Sequence, residues 1–545
     1  MVLFFPPLAQ TEPPVISIPD GQLRGISNKT VGQNITYFAY RGIPYAKPPI
    51  NDLRFAAPVK NNPWTGTLDA TRDKDICVQF TEIAAVPGTP VLGSEDCLYI
   101  NVYTTNITGN RPTMVWIHGG GFFGGDSTYP SYSPDYILEK DVVYVSFNYR
   151  LGVFGFLSTE DLVAPGNWGL KDQVLALQWV QTNIAYFGGN PDNVTIFGES
   201  AGAASVSYLT QSRLAKGLFR RSILQSGSSL CLWSLSRNAA RNAFDLGVSM
   251  GIFTKNSQTL INGLRKINYK ILKQADSAIT VLSILKDNIL AGLPFGVVKE
   301  PDHPGALFAN RSWEQIKNGN FSSDSMIIGF NSDEVGAFTQ YIDIVRPVLF
   351  YYDLFTTRLV PYDLTSNSTK RKVVAQEIRD HFFKPISISL QTDNLAEFLS
   401  WDQFIRPIRE TATLASKTTD VYYYKFSYKG LLGDPKNATE GVAHAEELNY
   451  LFANRGHGTN QDLQTVETVT TLWTNFAKFG NPTPASSLNV SLKWEPNGPN
   501  TNANVSIKYL DIGTEINMKT NPFQVDWTFY QGIYLTQGEP PYSTY

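Results

Sequence analysis

A serine at position 200 lies between two glycines, in the segment 198–202 with the sequence Gly-Glu-Ser-Ala-Gly. A strand-forming run at 194–197 precedes this segment, and a run of mostly small residues at 203–209 follows it. The order predicts a strand, a sharp turn and a helix, with Ser200 at the apex of the turn. Such a turn strains the apical backbone, and glycines beside it remove side chains that would collide. The pattern is typical of a nucleophilic serine whose hydroxyl lies above the positive end of a helix.

A serine hydroxyl is a poor nucleophile at neutral pH, so Ser200 requires a base and a carboxylate that orients the base. The chain has five histidines. His444 follows a short loop and precedes an apolar-periodic segment, a position from which its ring can turn toward the sheet edge. We therefore predict that His444 is the base. His457, which lies in a glycine-rich loop, is the alternative.

The carboxylate is harder to choose, because the chain has 48 Asp and Glu residues. In this arrangement the acid follows a strand and lies between the serine and the histidine in sequence. A strand predicted at 326–330 is followed by Asp333 and Glu334. The spacing alone does not distinguish these two residues.

A glycine run at 119–121 follows a predicted strand at 114–117. Backbone without side chains can approach a ligand closely and direct several amide donors at one point. The amides of Gly120 and Gly121, together with that of Ala201, are predicted to form a three-donor oxyanion hole.

Strand-like and helix-like segments alternate along the chain, which predicts an α/β fold with a mainly parallel sheet covered on both faces. The stretches 235–290 and 370–418 look helical and are interpreted as insertions that form walls and a cap. Further elements are predicted as strands at 142–147, 222–224, 326–329 and 421–426 and as a helix over 170–184. The predicted catalytic elements extend from about residue 118 to 444, so the chain between them must be one domain with insertions. We assign this domain to residues 12–545 and interpret 1–11 as an N-terminal extension or signal-peptide remnant.

Composition sets limits on the partners. Hydrophobic residues make up 42% and charged residues 17% of the 545 residues, as expected for a globular chain with an ample core. A net charge of −3 provides no basic surface for nucleic acid. No apolar stretch is long enough to cross a bilayer, and the C-terminus has no apolar anchor. We expect no nucleic-acid partner and no membrane anchor.

The cysteines and the glycosylation sequons indicate the cellular compartment of the protein. The three cysteines are Cys77, Cys97 and Cys231; the first two could close a loop, or all three could be free thiols of a cytosolic enzyme. Ten Asn-X-Ser/Thr sequons favour the secretory route. Asn193 opens the strand before Ser200 and is expected to be too close to the core for glycosylation. The nine sites expected to carry glycans on a secreted protein are Asn28, Asn34, Asn106, Asn310, Asn320, Asn367, Asn437, Asn489 and Asn504.

These features together resemble the carboxylesterase and cholinesterase family of α/β-hydrolases over nearly the whole chain. The segments that carry the resemblance are Arg54 with Phe55, 94–97, 118–122, 148–151, Asp172 with Gln173, 198–202, 225–227, 331–336 and 441–446. The resemblance implies an α/β-hydrolase fold and a serine carboxylesterase that needs no metal or organic cofactor.

The resemblance also implies roles for particular residues. It favours Glu334 over Asp333 as the acid, with His444 as the base and Ser200 as the nucleophile. It places Glu199 and Ser226 as a second polar pair near the histidine. By the same matching, the expected oxyanion donors, disulfide and structural ion pairs are Gly120, Gly121 and Ala201, Cys77 with Cys97, and Arg54 with Glu95 and Arg150 with Asp172.

The sequence defines the substrate less closely than it defines the catalytic residues. Cholinesterases use a tryptophan in the first disulfide loop for cation-π binding, whereas 77–97 contains no Trp or Tyr, so acetylcholine is not the expected substrate. The chain looks most similar to secreted insect esterases, but juvenile hormone esterases usually have Gln where this chain has Glu199. We expect a monomeric or homodimeric esterase that acts on small apolar carboxylic esters, of a general, xenobiotic or odorant kind. The alternatives are a juvenile hormone esterase, an interfacial lipase and a non-catalytic adhesion relative. Phe122 and Phe123, beside the predicted oxyanion hole, are expected to wall an apolar acyl pocket. Leu293 and Phe295 are expected either to join that wall or to pack in the core.

Overall fold

The computed structural model describes residues 13–80, 89–286, 292–336, 350–433, 440–454, 456, 458–485, 492–499 and 506–542. The expected glycosylation sites Asn437, Asn489 and Asn504 lie outside the described residues. The alternative base His457 and the N-terminal extension 1–11 also lie outside them.

Fourteen strands lie within the described ranges. They are β1 (Ile16–Ile18), β2 (Gly21–Arg24), β3 (Ile26–Lys29), β4 (Thr36–Pro44), β5 (Thr67–Asp69), β6 (Tyr99–Thr104), β7 (Arg111–Ile117), β8 (Val143–Phe147), β9 (Gly189–Glu199), β10 (Arg221–Gln225), β11 (Ser325–Asn331), β12 (Asp420–Phe426), β13 (Lys508–Ile512) and β14 (Ile516–Thr520). Strands β1, β2 and β5 form a small separate sheet, and the others form one large sheet in the order β14-β13-β12-β11-β10-β9-β7-β8-β6-β4-β3.

The middle of the large sheet is parallel, from β8 through β7, β9, β10, β11 and β12 to β13. This confirms the predicted α/β fold and each of the strands predicted from the sequence. Antiparallel strands extend the sheet at both edges, and they were not predicted from the sequence. Edge strands such as β3 and β14 are half-buried or exposed and polar, so they lack the apolar runs that mark buried parallel strands.

Helices cover both faces of this sheet. They are α1 (Asp135–Leu138), α2 (Gly152–Phe156), α3 (Trp168–Asn183), α4 (Ala201–Thr210), α5 (Ala239–Ser249), α6 (Ser257–Leu264), α7 (Tyr269–Lys286), α8 (Ser312–Lys317), α9 (Ser368–Phe382), α10 (Thr392–Ser400), α11 (Arg406–Ala415), α12 (Asn460–Phe479) and α13 (Gln524–Gln537). Helices α3 and α4 pack on one face, and α1 and α12 on the other. The helices α5 to α7 and α9 to α11 confirm the two predicted helical insertions. Among the helices of the described ranges, none has the length and apolar character needed to cross a membrane.

Three covalent or ionic links hold the loops around the sheet. Arg54 Nη2 lies 2.6 Å from Glu95 Oε2, and Arg150 Nη2 lies 2.7 Å from Asp172 Oδ1; both pairs are buried, as the resemblance implies. A disulfide joins Cys77 to Cys97. Removing one partner of a buried pair leaves an uncompensated charge at a cost of about 3–5 kcal/mol, so these pairs fix their loops firmly.

The described sequons differ in exposure. Five of them are exposed: Asn34, Asn106, Asn310, Asn320 and Asn367. Asn28 is half-buried on the edge strand β3. Asn193 is also half-buried, and its Oδ1 accepts a hydrogen bond from Arg221 Nη1 at 2.5 Å, which fits the expectation that it carries no glycan.

Strands β9, β10 and β11 are neighbours, and their carboxyl ends meet at one edge of the sheet. Gln225, the last residue of β10, lies opposite Glu199, the last residue of β9. Asn331 ends β11 on the other side of β10. In open parallel sheets, ligands bind in the crevice outside these carboxyl ends, and this edge carries the residues predicted to do chemistry.

Candidate active site

Ser200 forms a sharp turn between β9 and α4, with φ 56° and ψ −122°. Its amide donates to the carbonyl oxygen of Gln225 at 2.8 Å, which fixes the turn against the end of β10. A Cβ on Gly198 would lie 2.6 Å from the carbonyl oxygen of Ile117, and one on Gly202 would overlap the same oxygen. Both flanking glycines are therefore required by close packing against β7.

The predicted oxyanion donors surround this turn. Ala201 is the first residue of α4, so its amide has no carbonyl partner within the helix. Gly120 and Gly121 have positive φ angles of 101° and 59°, and within the described residues neither amide donates to an acceptor. A Cβ on Gly119 would lie 2.7 Å from Glu199 Oε2, so the glycine run packs directly on the turn.

His118 anchors the start of the glycine run. Its ring stacks on Tyr149, with ring centroids 4.3 Å apart, and its Nδ1 lies 2.8 Å from the carbonyl oxygen of Gly119. Burial lowers the pKa of His118 to about 4, so the ring is neutral at neutral pH. The contacts make His118 a support for the backbone of the glycine run.

His444 meets one of the two candidate acids. Its Nδ1 lies 2.6 Å from Glu334 Oε2, and its amide donates to the carbonyl oxygen of Glu334 at 3.2 Å. The Glu334 side chain is fully buried, and its Oε1 accepts from the amide of Asn331 at 2.8 Å. Asp333 instead lies against Gly336 and Gly441. The structure therefore brings Glu334, and not Asp333, to the imidazole.

The other side of the imidazole faces Glu199. His444 Nε2 lies 3.0 Å from Glu199 Oε1. Ser200 and His444 are both described, and no hydrogen bond joins the serine hydroxyl to the ring in this conformation. Because Ser200 directly follows Glu199, the ring faces the segment that carries the hydroxyl. In unliganded sites, catalytic hydrogen bonds are often loose and tighten only when substrate binds.

Burial and charge shift the ionisation of this cluster. Burial raises the pKa of Glu199 to about 8, with Glu447 and Glu334 acting in the same direction against the opposing effect of His444. Burial disfavours the imidazolium of His444, but the nearby Glu199 and Glu334 outweigh it and raise the pKa to about 9. Glu199 and His444 therefore compete for a proton near neutral pH.

Ser226, predicted as the second member of a polar pair, is buried after the end of β10. Its amide donates to the carbonyl oxygen of Gly329 at 2.9 Å. Its hydroxyl has no hydrogen-bond partner among the described residues. The structure thus joins Glu199 to His444, whereas no hydrogen bond joins Ser226 to either of them.

Glu447 is a buried acid beside the site that was not predicted from the sequence. Its Oε1 accepts from Gln225 Nε2 at 3.0 Å and its Oε2 accepts from Asn331 Nδ2 at 2.6 Å. Burial raises the pKa of Glu447 to about 7. Its partners Gln225 and Asn331 lie in segments that carry the family resemblance, and this was an indirect signal for a polar cluster. Nothing in the sequence distinguishes Glu447 itself from an exposed acid.

Contacts between aromatic rings extend from the glycine run to the histidine. Ring centroids of Phe122 and Trp233 are 6.4 Å apart, those of Trp233 and Phe404 are 5.8 Å apart, and those of Phe404 and His444 are 4.8 Å apart. Phe295, one of the residues expected in the core or in an acyl pocket, is buried in the core. Phe122, expected to wall an acyl pocket, is also fully buried in the core, whereas Trp233 and Phe404 are half-buried and form an apolar wall beside His444.

Comparisons with known proteins place the chain among esterases. A model described as carboxylesterase family matches residues 12–530. The chain is 35% identical to juvenile hormone esterase of Tribolium castaneum over 501 residues, which cover 83% of this chain and 81% of the relative. It is 33% identical to venom carboxylesterase-6 of Apis mellifera, with 92% of each chain covered.

A solved structure agrees with these sequence matches. The crystal structure of juvenile hormone esterase from Manduca sexta, with OTFP covalently attached, superposes with a TM-score of 0.84 at 29% identity. The match covers 96% of this chain and 99% of that one.

Replacing Glu199 by Gln should lower the pKa of His444, because the Glu199 carboxylate favours the imidazolium from 3.0 Å. We expect the acidic limb of kcat/KM for a neutral ester to move to lower pH by about 1 unit. The measurement is the pH dependence of kcat/KM for the wild type and Glu199→Gln. Asp333→Asn is the control and should leave the limb in place. An unchanged limb in Glu199→Gln, or a move to higher pH, would contradict this account.

Proposed function

Because this chain belongs to the carboxylesterase family, we propose that it hydrolyses carboxylic esters through an acyl-enzyme on Ser200, with His444 as base and Glu334 as acid. The observation that most supports these roles is the contact of 2.6 Å between His444 Nδ1 and Glu334 Oε2, beside a serine held in a strained turn. Glu334 fixes the imidazole tautomer with the proton on Nδ1 and stabilises the imidazolium.

The proposed reaction has two halves. His444 Nε2 takes the proton of the Ser200 hydroxyl while the serine oxygen bonds to the ester carbonyl carbon, and the carbonyl electron pair moves onto its oxygen. The tetrahedral intermediate collapses, the C–O bond to the alcohol breaks, and His444 protonates the alcohol as it leaves. Water then attacks the acyl-enzyme by the same route and releases the acid. Before the first step the imidazole turns from Glu199 toward the serine hydroxyl.

The amides of Gly120, Gly121 and Ala201 are proposed to stabilise the oxyanion of each tetrahedral intermediate. Their support is geometric: two have no acceptor among the described residues, and the third begins a helix. Loss of one donor of this kind costs about 3–4 kcal/mol of transition-state stabilisation, or about 100- to 1,000-fold in kcat.

We propose that the substrates are apolar carboxylic esters. The wall formed by Trp233 and Phe404 is uncharged and lies beside His444, where an acyl or alcohol group would bind. A juvenile hormone esterase is the second candidate, supported by the similarity to the Tribolium and Manduca enzymes of that name. Glu199, in a position where such enzymes usually have Gln, weighs against it.

We also propose that the protein is secreted and glycosylated. The disulfide between Cys77 and Cys97 is typical of an oxidising compartment. The sequons Asn34, Asn106 and Asn310 are among those with exposed side chains, as glycan attachment requires.

Ser200→Ala should abolish ester hydrolysis and leave the fold intact, because it removes the nucleophile and retains the backbone of the turn. The measurement is turnover of short p-nitrophenyl esters, with circular dichroism to verify folding. In the wild type, an organophosphate should add mass to the peptide that contains Ser200. Retained turnover in Ser200→Ala, or inactivation with labelling elsewhere, would refute the proposed nucleophile.

Glu334→Gln should reduce kcat far more than Asp333→Asn. The carboxamide introduced by Glu334→Gln would present an NH₂ group or a neutral oxygen to the imidazole and would no longer stabilise its charge; a comparable change in the Ser-His-Asp triad costs about 10⁴-fold in kcat. Asp333 is the matched neighbour, in the same turn but away from the ring. Steady-state kinetics of both variants decide the assignment, and the reverse order would make Asp333 the acid.

Kinetics on esters that differ in acyl length and alcohol size should show the highest kcat/KM for apolar acyl groups and a broad tolerance of alcohols. We expect this preference because the wall beside His444 is apolar and would bind apolar groups of the ester. A preference for juvenile hormone over general esters by more than an order of magnitude would favour the second candidate. Activity that rises sharply when the substrate forms droplets would indicate an interfacial lipase instead.

A further inference from the structure

Asn331 joins three parts of the site: the turn of Glu334, the loop of His444 and the side chain of Glu447. Its amide donates to Glu334 Oε1 at 2.8 Å, and its side-chain Nδ2 donates to the carbonyl oxygen of Ala443 at 2.8 Å. The same Nδ2 donates its second hydrogen to Glu447 Oε2 at 2.6 Å. Ala443 directly precedes His444, so one fully buried residue contacts both the acid and the loop that carries the base.

The orientation of the Asn331 side chain follows from its partners. A carbonyl oxygen can only accept a hydrogen bond, so the group that faces Ala443 must be the NH₂ and not the oxygen of the carboxamide. The same reasoning applies to Gln225, whose Oε1 accepts from the indole Nε1 of Trp473 at 3.0 Å. Because an indole nitrogen can only donate, the NH₂ of Gln225 must face Glu447.

Two amide donors of fixed orientation therefore converge on one carboxyl group. Each oxygen of Glu447 accepts one of them, and both oxygens must be acceptors for this arrangement to be satisfied. A glutamine at this position would direct its own NH₂ group at one of these donors and leave buried polar hydrogens unpaired, which costs about 1–3 kcal/mol for each group. Glu447 thus holds the NH₂ of Asn331 in the position from which it also reaches Ala443.

We propose that Asn331 is a positioning residue for the base: braced by Glu447, its carboxamide holds the loop of His444 against the turn of Glu334. This inference rests on the roles proposed above for Ser200, His444 and Glu334. Asn331 acts through the position of the imidazole.

The proposal also involves charge. Glu447 is faced by Glu334, by His444 and by Tyr424 of β12, and Glu199 faces the opposite side of the imidazole. The hydrogen bond from Asn331 favours the ionised form of Glu447, and that charge in turn favours the imidazolium of His444. Loss of the Asn331 carboxamide therefore raises the pKa of Glu447 and lowers that of His444.

The test compares Asn331→Ala with Asn183→Ala. Asn183 ends α3, near the start of β9 and so far from Ser200. It is a matched control because its side chain is also buried, also donates to one carbonyl oxygen, that of Trp179, and also leaves its Oδ1 unpaired. Rates are expressed per active site titrated with an organophosphate, so that unfolded molecules are not counted.

We expect Asn331→Ala to lose about 100-fold in kcat, as a displaced catalytic group can, with little change in KM. Its acidic limb of kcat/KM should move to lower pH. Asn183→Ala should keep the kcat and the pH profile of the wild type. A kcat of Asn331→Ala close to that of wild type, a rise in KM alone, or an unmoved acidic limb would overturn the proposal.

A second variant covers the case in which Asn331→Ala does not fold. Glu447→Gln preserves the volume of the side chain but removes the carboxylate that holds the carboxamide of Asn331. We expect a smaller loss of kcat than in Asn331→Ala, and the acidic limb of kcat/KM should again move to lower pH. Wild-type kcat and pH profile in Glu447→Gln would overturn the proposal. Failure of the proposed function is distinct, because it would appear as retained turnover in Ser200→Ala whatever the Asn331 variants do.

Discussion

One imidazole lies between two buried carboxyl groups, and the polar groups around it offset the cost of burying them. His444 contacts Glu334 through Nδ1 and Glu199 through Nε2, at 2.6 and 3.0 Å. An ionised group in a protein interior is costly unless it is paired and hydrogen-bonded. The amide of Asn331 supplies the further donor to Glu334, and two side-chain amides supply the donors to Glu447. Strand ends thus supply the donors to Glu334 Oε1 and to both oxygens of Glu447, while Glu199 Oε1 has only its contact with the imidazole.

The sheet fixes the relative positions of these donors and acceptors. Neighbouring strands lie about 4.8 Å apart, so the last residues of β9, β10 and β11 fall within hydrogen-bonding reach of one another or of a common partner. The serine turn is fixed to Gln225 by a backbone hydrogen bond and to β7 by two glycines that allow no side chain. The proposed base, His444, by contrast, lies on a loop after β12, and loops need additional contacts to hold a fixed position. Asn331 and Glu334 provide those contacts from the adjacent strand end.

The parts of the fold that could be predicted from the sequence are those with strong local signals. The buried parallel strands have continuous apolar runs, and the turn at Ser200 has its glycines. The antiparallel edge strands have neither, so β3 and β14 became apparent only in the structure. In the site, five histidines made the search for a base short, but Asp333 and Glu334 are equivalent in spacing. Which of them reaches the ring depends on the path of the turn after Asn331. Glu447 could not be predicted, because a carboxyl group buried by partners distant in sequence resembles any surface acid until those partners are placed.

The chain between β11 and β12 contributes a ring beside His444, while the two strands themselves pair directly. It leaves one strand after Asn331 and returns to the adjacent strand at Asp420, and the helices α9, α10 and α11 lie in between. Since the two strands pair with each other directly, the sheet does not depend on the length of the segment between them. This segment also contributes Phe404, the ring next to His444. Mutation and insertion in the α9 to α11 region can therefore reshape the surface beside His444 while the strand ends stay unchanged, provided that Ser400 is kept, because its hydroxyl accepts from the amide of Val335 beside Glu334 at 2.8 Å.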